Sequence, residues 1–178
     1  MKKPVIIAAL ITLTLYAAVE SSQDQEFEEN TVQVTRIIDG DTIEISTEKG
    51  REPVRFIGMD TPEVHSENNP EYFEGIPENE EAEDCMLDWA RKSTEYVERK
   101  ISPGEQIQLE HEGDKRDQYD RLRAHIHIQD KEETLNYKLV REGYANVFPV
   151  EFEDKERFEQ AEEKARQERK GVWNCKQD

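Results

Sequence analysis

The sequence predicts an α+β domain built on a small antiparallel β-barrel. Two observations carry that expectation. Short β-branched stretches separated by turn residues crowd the segment from Thr31 to Ile57. Helical periodicity enters only later, mixed with further strands, whereas a βαβ sheet alternates strand and helix throughout. No internal repeat interrupts this order.

Taken in order, Thr31 to Ile38 reads as the first strand, and Thr42 to Ile45 continues its β-branched character. Asp39-Gly40-Asp41 forms the turn between them. Glu48-Lys49-Gly50 is a second turn, followed by a short strand from Val54 to Ile57. Two further strands fit Gln106 to Leu109 and Arg123 to Ile128, the latter after a polar loop. Ala82, Met86, Trp89, Ser93, Tyr96 and Val97 recur at helical steps, with Pro103-Gly104 marking the stop beyond. Thr134 caps a short helix carrying Leu135, Leu139 and Val140, and Gly143 ends it. Phe152 to Lys170 repeats the periodicity through Phe158, Ala161 and Ala165 and stops at Gly171. An acidic low-complexity run extends from Glu67 to Asp84.

A chain of 178 residues holds one ordinary domain. Its first residues have the pattern of an export signal. Lys2 and Lys3 precede an uncharged, mostly apolar stretch from Pro4 to Val19, short for a membrane span and suited to a signal peptide. The expected organisation is a signal peptide over residues 1–22, a polar linker over 23–30 and a folded domain over 31–176. An uncleaved N-terminal membrane anchor is the alternative. Only Cys85 and Cys175 remain in the exported part. In an oxidising compartment they most simply form one disulfide, and in a reducing one they are two free thiols. Their separation, with no matched histidine pair, does not fit zinc spacing.

Charged residues make up 37% of the chain and the net charge is -18. Such a surface repels other polyanions at long range, which by itself argues against nucleic acid. Three short segments point the other way. Asp39-Gly40-Asp41-Thr42 places two carboxylates around a glycine turn, where a hard cation can bind; a plain hairpin turn has the same composition. An EF-hand is excluded, because Ile43 and Glu44 stand where a third ligand and the required glycine belong. Next, Arg55 lies on a strand that runs into Asp60-Thr61-Pro62-Glu63. Pro62 biases Thr61 toward an extended backbone, which presents the Thr61 carbonyl and the Asp60 carboxylate to one ion, with Glu63 nearby as a general base. Finally, Arg121 heads a strand after Asp117-Gln118-Tyr119-Asp120 and can fork onto a phosphate, or pair with Asp117 or Asp120.

Together, IDGDT, VRFIGMDTPE, DQYDR and LVREGYA, with GVW near the end, resemble the staphylococcal nuclease (thermonuclease) family over Thr31 to Trp173. The resemblance implies a five-stranded barrel of the oligonucleotide-binding type with three packed helices. It implies one calcium ion held by Asp41, Asp60 and the Thr61 carbonyl, with Glu63 activating water and Arg55 and Arg121 holding the phosphate. It further implies a monomeric nuclease cutting both DNA and RNA to 3′-phosphate ends. A catalytically weak or inactive nucleic-acid-binding module is the competing reading, and a secreted acidic protein binding calcium for structure alone is a third.

Several positions depart from the family pattern. Asp120 stands where the family usually has glycine, and its charge is expected to weaken the grip of Arg121 on phosphate. Pro149 and Glu151 fall where pocket tyrosines belong, which leaves Tyr119 as the stacking candidate, with Phe148 or Phe152 as further aromatic surfaces or core residues. No Lys or Arg occurs between Phe56 and Ala90. His125 and His127 alternate along one strand and read as a surface polar pair or, less simply, a metal pair.

Overall fold

The computed structural model describes residues 30–63, 73–128 and 131–175. The expected signal peptide and linker, and the first part of the acidic run, lie outside the described residues. By contact, the described residues from Val32 onward belong to one compact unit.

Five strands close into a barrel in the order β1 (Thr31–Ile37), β2 (Thr42–Thr47), β3 (Gly50–Phe56), β6 (Leu122–Ile128) and β5 (Gln106–Glu110). The fold is the expected α+β barrel with three helices: α1 (Glu80–Glu98), α2 (Leu135–Arg141) and α3 (Lys155–Gln167). The barrel is mixed, which corrects the expectation of an antiparallel one. β3 and β6 run parallel, with Arg55 opposite Arg123. Parallel neighbours need a long connection, and here α1 and β5 lie between them in the chain. Two two-residue strands, β4 (Met59–Asp60) and β7 (Asn146–Val147), pair outside the barrel and set Asp60 opposite Asn146. Segments of two residues carry no readable period, so neither was foreseen.

The barrel interior is filled by alternate residues such as Val34, Ile43, Ile45, Val54, Ile107 and Ile126, and Leu135, Leu139 and Phe158 from the helices extend the same core. Buried Asn136 fastens α2 to the barrel. Its amide donates to the Ile57 carbonyl at 3.0 Å and accepts from the Ile126 amide at 2.9 Å, so the polar group is satisfied where β3 ends beside β6. A second cluster gathers Phe73, Met86, Val172 and Trp173 beside the disulfide joining Cys85 to Cys175.

The end of the acidic run opens the first helix, in line with the helical spacing that begins at Ala82. Asn79 caps α1 by accepting from the Ala82 amide at 2.9 Å. Glu80, Glu81 and Glu83 occupy the first turn, where the helix dipole favours negative charge. The last helix is shorter than its periodicity suggested, beginning at Lys155. Phe152 precedes it, buried against Phe158 and His125. His125 is likewise buried, not a surface residue, because the rings of Phe152 and Phe158 pack against it. No helix of the described residues is long and apolar enough to cross a membrane.

Candidate active site

The turn between β1 and β2 is built by its own side chains. Asp39 accepts from the Asp41 amide at 3.0 Å, and the amides of Ile38 and Asp39 both donate to the Thr42 carbonyl. Gly40 is required by space. A Cβ there would lie 2.7 Å from Ser93 Cβ on α1 and 2.8 Å from Thr61 Cγ2. The turn is therefore wedged between the helix and the Asp60-Thr61 segment.

That wedge brings two distant motifs together. The buried Asp41 carboxylate accepts from the Thr61 amide at 3.0 Å, from the Thr61 hydroxyl at 3.0 Å and from the Thr42 hydroxyl at 2.9 Å. Arg55 reaches from the end of β3 and spans the two acids, pairing through Nη1 with Asp41 and through Nη2 with Asp60. All three side chains are largely withdrawn from solvent. Burial holds the Asp60 carboxyl above its ordinary value, against the pull of the Arg55 guanidinium. Asp39 is raised in the same way, also chiefly by burial, and also feels Arg55 and Arg121. Asp39 thus belongs to this charge cluster, although the expected ligand set omitted it. Its place in the same turn as Asp41 was the available signal.

The groups on Arg55 are both hard oxygen donors, the carboxylates of Asp41 and Asp60. That set fits calcium in kind. Among the described residues no group of three or more His, Cys, Asp or Glu side chains surrounds a common point, and Arg55 occupies the space between the two acids. Glu63 follows Pro62 on the exposed side of the same segment and is the last described residue before position 73.

Arg121 approaches from the loop before β6. Its Nε donates to Asp117 Oδ2 at 2.7 Å, and its amide donates to Asp117 Oδ1 at 3.0 Å. Partial burial would raise the Asp117 carboxyl, yet its bonds to Arg121 and to the Tyr119 amide outweigh that and keep it below the ordinary range. Asp120, expected to add a negative charge beside Arg121, makes no ion pair with it among the described residues. Asp120 is exposed and points to Arg116, at 3.6 Å. Its backbone is left-handed, with φ of 63°, a conformation that favours glycine and that aspartate tolerates.

Arg55, Arg121 and Tyr119 line one cleft of about 390 Å³ with Arg116, Arg123 and Phe148. Tyr119 is 71% exposed, and the Arg121 guanidinium lies 5.4 Å from its ring centre. Four arginines line the cleft with Asp114 and Asp117, and three of them are ion-paired: Arg55 with Asp41 and Asp60, Arg116 with Glu52 at 2.5 Å and Arg121 with Asp117 at 2.7 Å. Phe148 is part of this wall, whereas Phe152 is core. His125 and His127 contribute nothing to it. They meet Glu112 and Glu110 on another face.

The family model described as Staphylococcal nuclease homologue matches residues 53–175. The chain belongs to the staphylococcal nuclease family. The match includes Arg55, Asp60, Thr61, Glu63 and Arg121, and Asp41 precedes it. Thermonuclease of Staphylococcus hyicus is 29% identical over 177 residues, covering 96% of this chain and 94% of that enzyme. An uncharacterized protein of Methanocaldococcus jannaschii is 32% identical over 148 residues, 80% of this chain and 70% of that protein. Endonuclease YhcR of Bacillus subtilis is 32% identical over 146 residues, but these form only 11% of that much longer enzyme. Among staphylococcal nuclease family members, then, this chain is similar to enzymes named for cutting nucleic acid. Its own geometry joins Asp41 and Asp60 through Arg55 and puts Arg55 and Arg121 along one cleft.

Proposed function

We propose that this chain is an exported, calcium-dependent nuclease that hydrolyses DNA and RNA and leaves 3′-phosphate ends. The observation that carries the reading is the Arg55 bridge between Asp41 and Asp60, at the edge of an arginine-lined cleft in an otherwise acidic protein. Calcium, held by Asp41, Asp60 and the Thr61 carbonyl, would supply positive charge to the phosphoryl oxygens. The remaining chemistry belongs to the chain. Arg55 uses one proton from each terminal nitrogen on the acids and keeps further N–H donors for phosphate. Arg121, oriented by Asp117, presents its terminal nitrogens to the same phosphate. Glu63, on the exposed flank, removes the proton from the attacking water. Tyr119 offers a ring to a base beside the cut.

The same reading takes residues 1–22 as the export signal or anchor, 23–30 as a linker and 31–176 as the nuclease domain, acting as a monomer. The experiment is cleavage of single-stranded DNA and RNA with calcium or chelator, beside Glu63→Gln. Cleavage is expected only with calcium, and the substitution should lower kcat by about 10²–10⁴-fold. Cleavage indifferent to chelator and to the substitution would overturn the mechanism. Binding without cleavage in every condition would make the chain a nucleic-acid-binding module.

A further inference from the structure

A second basic cleft lies apart from the arginine-lined one. It has a volume of about 610 Å³ and sits where the end of α1, the side of α2 and the end of β6 meet. Five of its nine lining residues are cationic: Arg99, Lys100, Lys131, Lys138 and Arg141. Tyr96 and Tyr144 form its aromatic wall, with ring centres 4.5 Å apart.

The charges here are only partly neutralised by neighbouring carboxylates. Arg141 is held by Glu133 at 2.6 Å and by Glu142 at 3.1 Å, and Arg99 meets Glu95 at 3.7 Å. Glu142 is shared with Lys170, at 3.6 Å. Lys131 and Lys138 have no ion pair among the described residues, and the Lys100 ammonium rests 5.0 Å from the centre of the Tyr96 ring. Asp130 lies outside the described residues. Partial burial holds the Lys138 ammonium below its ordinary value, and the like charges of Lys131, Arg141 and Lys100 add to this against the pull of Glu133. A chain of net charge -18 thus keeps a concentrated positive hollow at a place the proposed hydrolysis does not use.

This hollow connects physically with the site of cleavage. Ser93 on α1 abuts the Asp39-Gly40-Asp41 turn, and its hydroxyl donates to the Tyr144 carbonyl at 2.9 Å. Arg99 follows Ser93 by six residues, about 9 Å along the helix axis. Single strands on barrels of this type occupy roughly 4 to 16 nucleotides, enough to engage both places.

We propose that this cleft is a second contact site for the backbone of a single-stranded nucleic acid, holding strand beyond the cut. The inference rests on the nuclease reading, which supplies the polyanion. Lysines at its mouth neutralise phosphates, and the tyrosine wall offers a face to a base. It also answers the charge problem set by the sequence. Positive charge absent from Phe56 to Ala90 is concentrated here instead.

The test combines Lys131→Gln with Lys138→Gln in the full chain. Binding of a fluorescent twenty-nucleotide strand is followed by anisotropy in chelator across a salt series. Cleavage of that strand and of a dinucleotide is followed with calcium. The double variant should bind the long strand several-fold more weakly, with a salt slope shallower by about 1.4, the share of two phosphate contacts on a single strand. Its KM for the long strand should rise at unchanged kcat. Both constants for the dinucleotide, too short to reach the cleft, should stay as in the unaltered protein. Restoration of binding by Lys131→Arg with Lys138→Arg would support a charge contact. Equal long-strand binding and equal salt slope in both proteins would overturn the inference. So would anionic phospholipid vesicles bound through these lysines with strand binding unaffected. If the unaltered protein binds the strand through these lysines yet never cuts it, the nuclease reading fails and the cleft stands.

Discussion

Asp41 and Thr61, twenty residues apart, are joined twice: the carboxylate accepts from both the amide and the hydroxyl of Thr61, each at 3.0 Å. The pair locks the β1–β2 turn to the segment that follows β4. Thr61→Val keeps the amide bond, the shape and the carbonyl but deletes the hydroxyl donor. A hydrogen bond to a charged group contributes about 1.5–3 kcal/mol, so urea denaturation should show a loss of roughly 2 kcal/mol. Because Asp41 is then held by fewer donors, half-maximal activity should also require more calcium. An unchanged denaturation midpoint with unchanged calcium demand would show that the hydroxyl bond carries no weight.

Gly143, just beyond α2, and Gly171, four residues past the end of α3, lie against each other. The Val172 amide donates to the Gly143 carbonyl at 2.8 Å, and a Cβ on Gly171 would lie 2.0 Å from that same oxygen. Gly113 has nearly the same backbone angle, 63° against 61°, with nothing within 4 Å of its Cβ position. Gly113→Ala should therefore cost only the left-handed backbone, about 1–2 kcal/mol. Gly171→Ala adds an overpacking cost of about 1–3 kcal/mol. Thermal melts of the two variants check this, and equal losses would remove the steric contribution.

Asp120→Gly separates backbone from charge. The left-handed backbone at this position is easier for glycine, so stability should hold or rise by up to about 1 kcal/mol. Arg121 is oriented by Asp117, not by Asp120. KM for nucleic acid should therefore change little, whereas Asp117→Ala should raise it. Steady-state kinetics on both variants decides the point: a large fall in KM for Asp120→Gly alone would return the controlling charge to Asp120.

The buried His125 gives the stability a pH dependence of known sign. Its Nδ1 has no hydrogen-bond partner among the described residues, Phe152 and Phe158 flank the ring, and Glu112 lies 3.4 Å from Nε2. Burial pushes the imidazole below its ordinary 6.5, despite the pull of Glu112 and Glu110. Between the folded value and 6.5 the unfolded chain binds more protons, so stability is complete above 6.5 and declines as the pH falls below it. Other groups add their own pH dependence, among them Glu162, whose carboxyl burial holds above its ordinary value. They cancel when the protein is compared with His125→Phe. The urea midpoint of the unaltered protein should drop more between pH 7.5 and 5.5 than that of the variant. Parallel drops would assign the pH dependence elsewhere.

Much of the fold is readable because it depends on short stretches. β-branched runs mark β1 and β2, Thr134 and Gly143 bound α2, and the spacing of Ala82, Met86, Ser93 and Val97 marks the buried face of α1. The candidate site is legible in the same way as residue types. Asp41, Arg55, Asp60 and Thr61 stand in compact motifs, and the structure brings them into contact. Asp39 was visible in the same motif yet passed over. The basic cleft could not be read, since its cations come from Arg99 to Arg141 and share no local period.

By itself, then, the sequence determined the elements, their order, the family and the chemical inventory of the site. Backbone preference and periodicity act over a few residues and survive without knowledge of the partner. Tertiary structure alone decided the parallel pairing of β3 with β6, the Arg55 bridge, the choice of Asp117 over Asp120 and the burial of His125. Each of these depends on which surfaces meet when the chain closes on itself. Close packing selects those contacts from many that the local sequence permits equally.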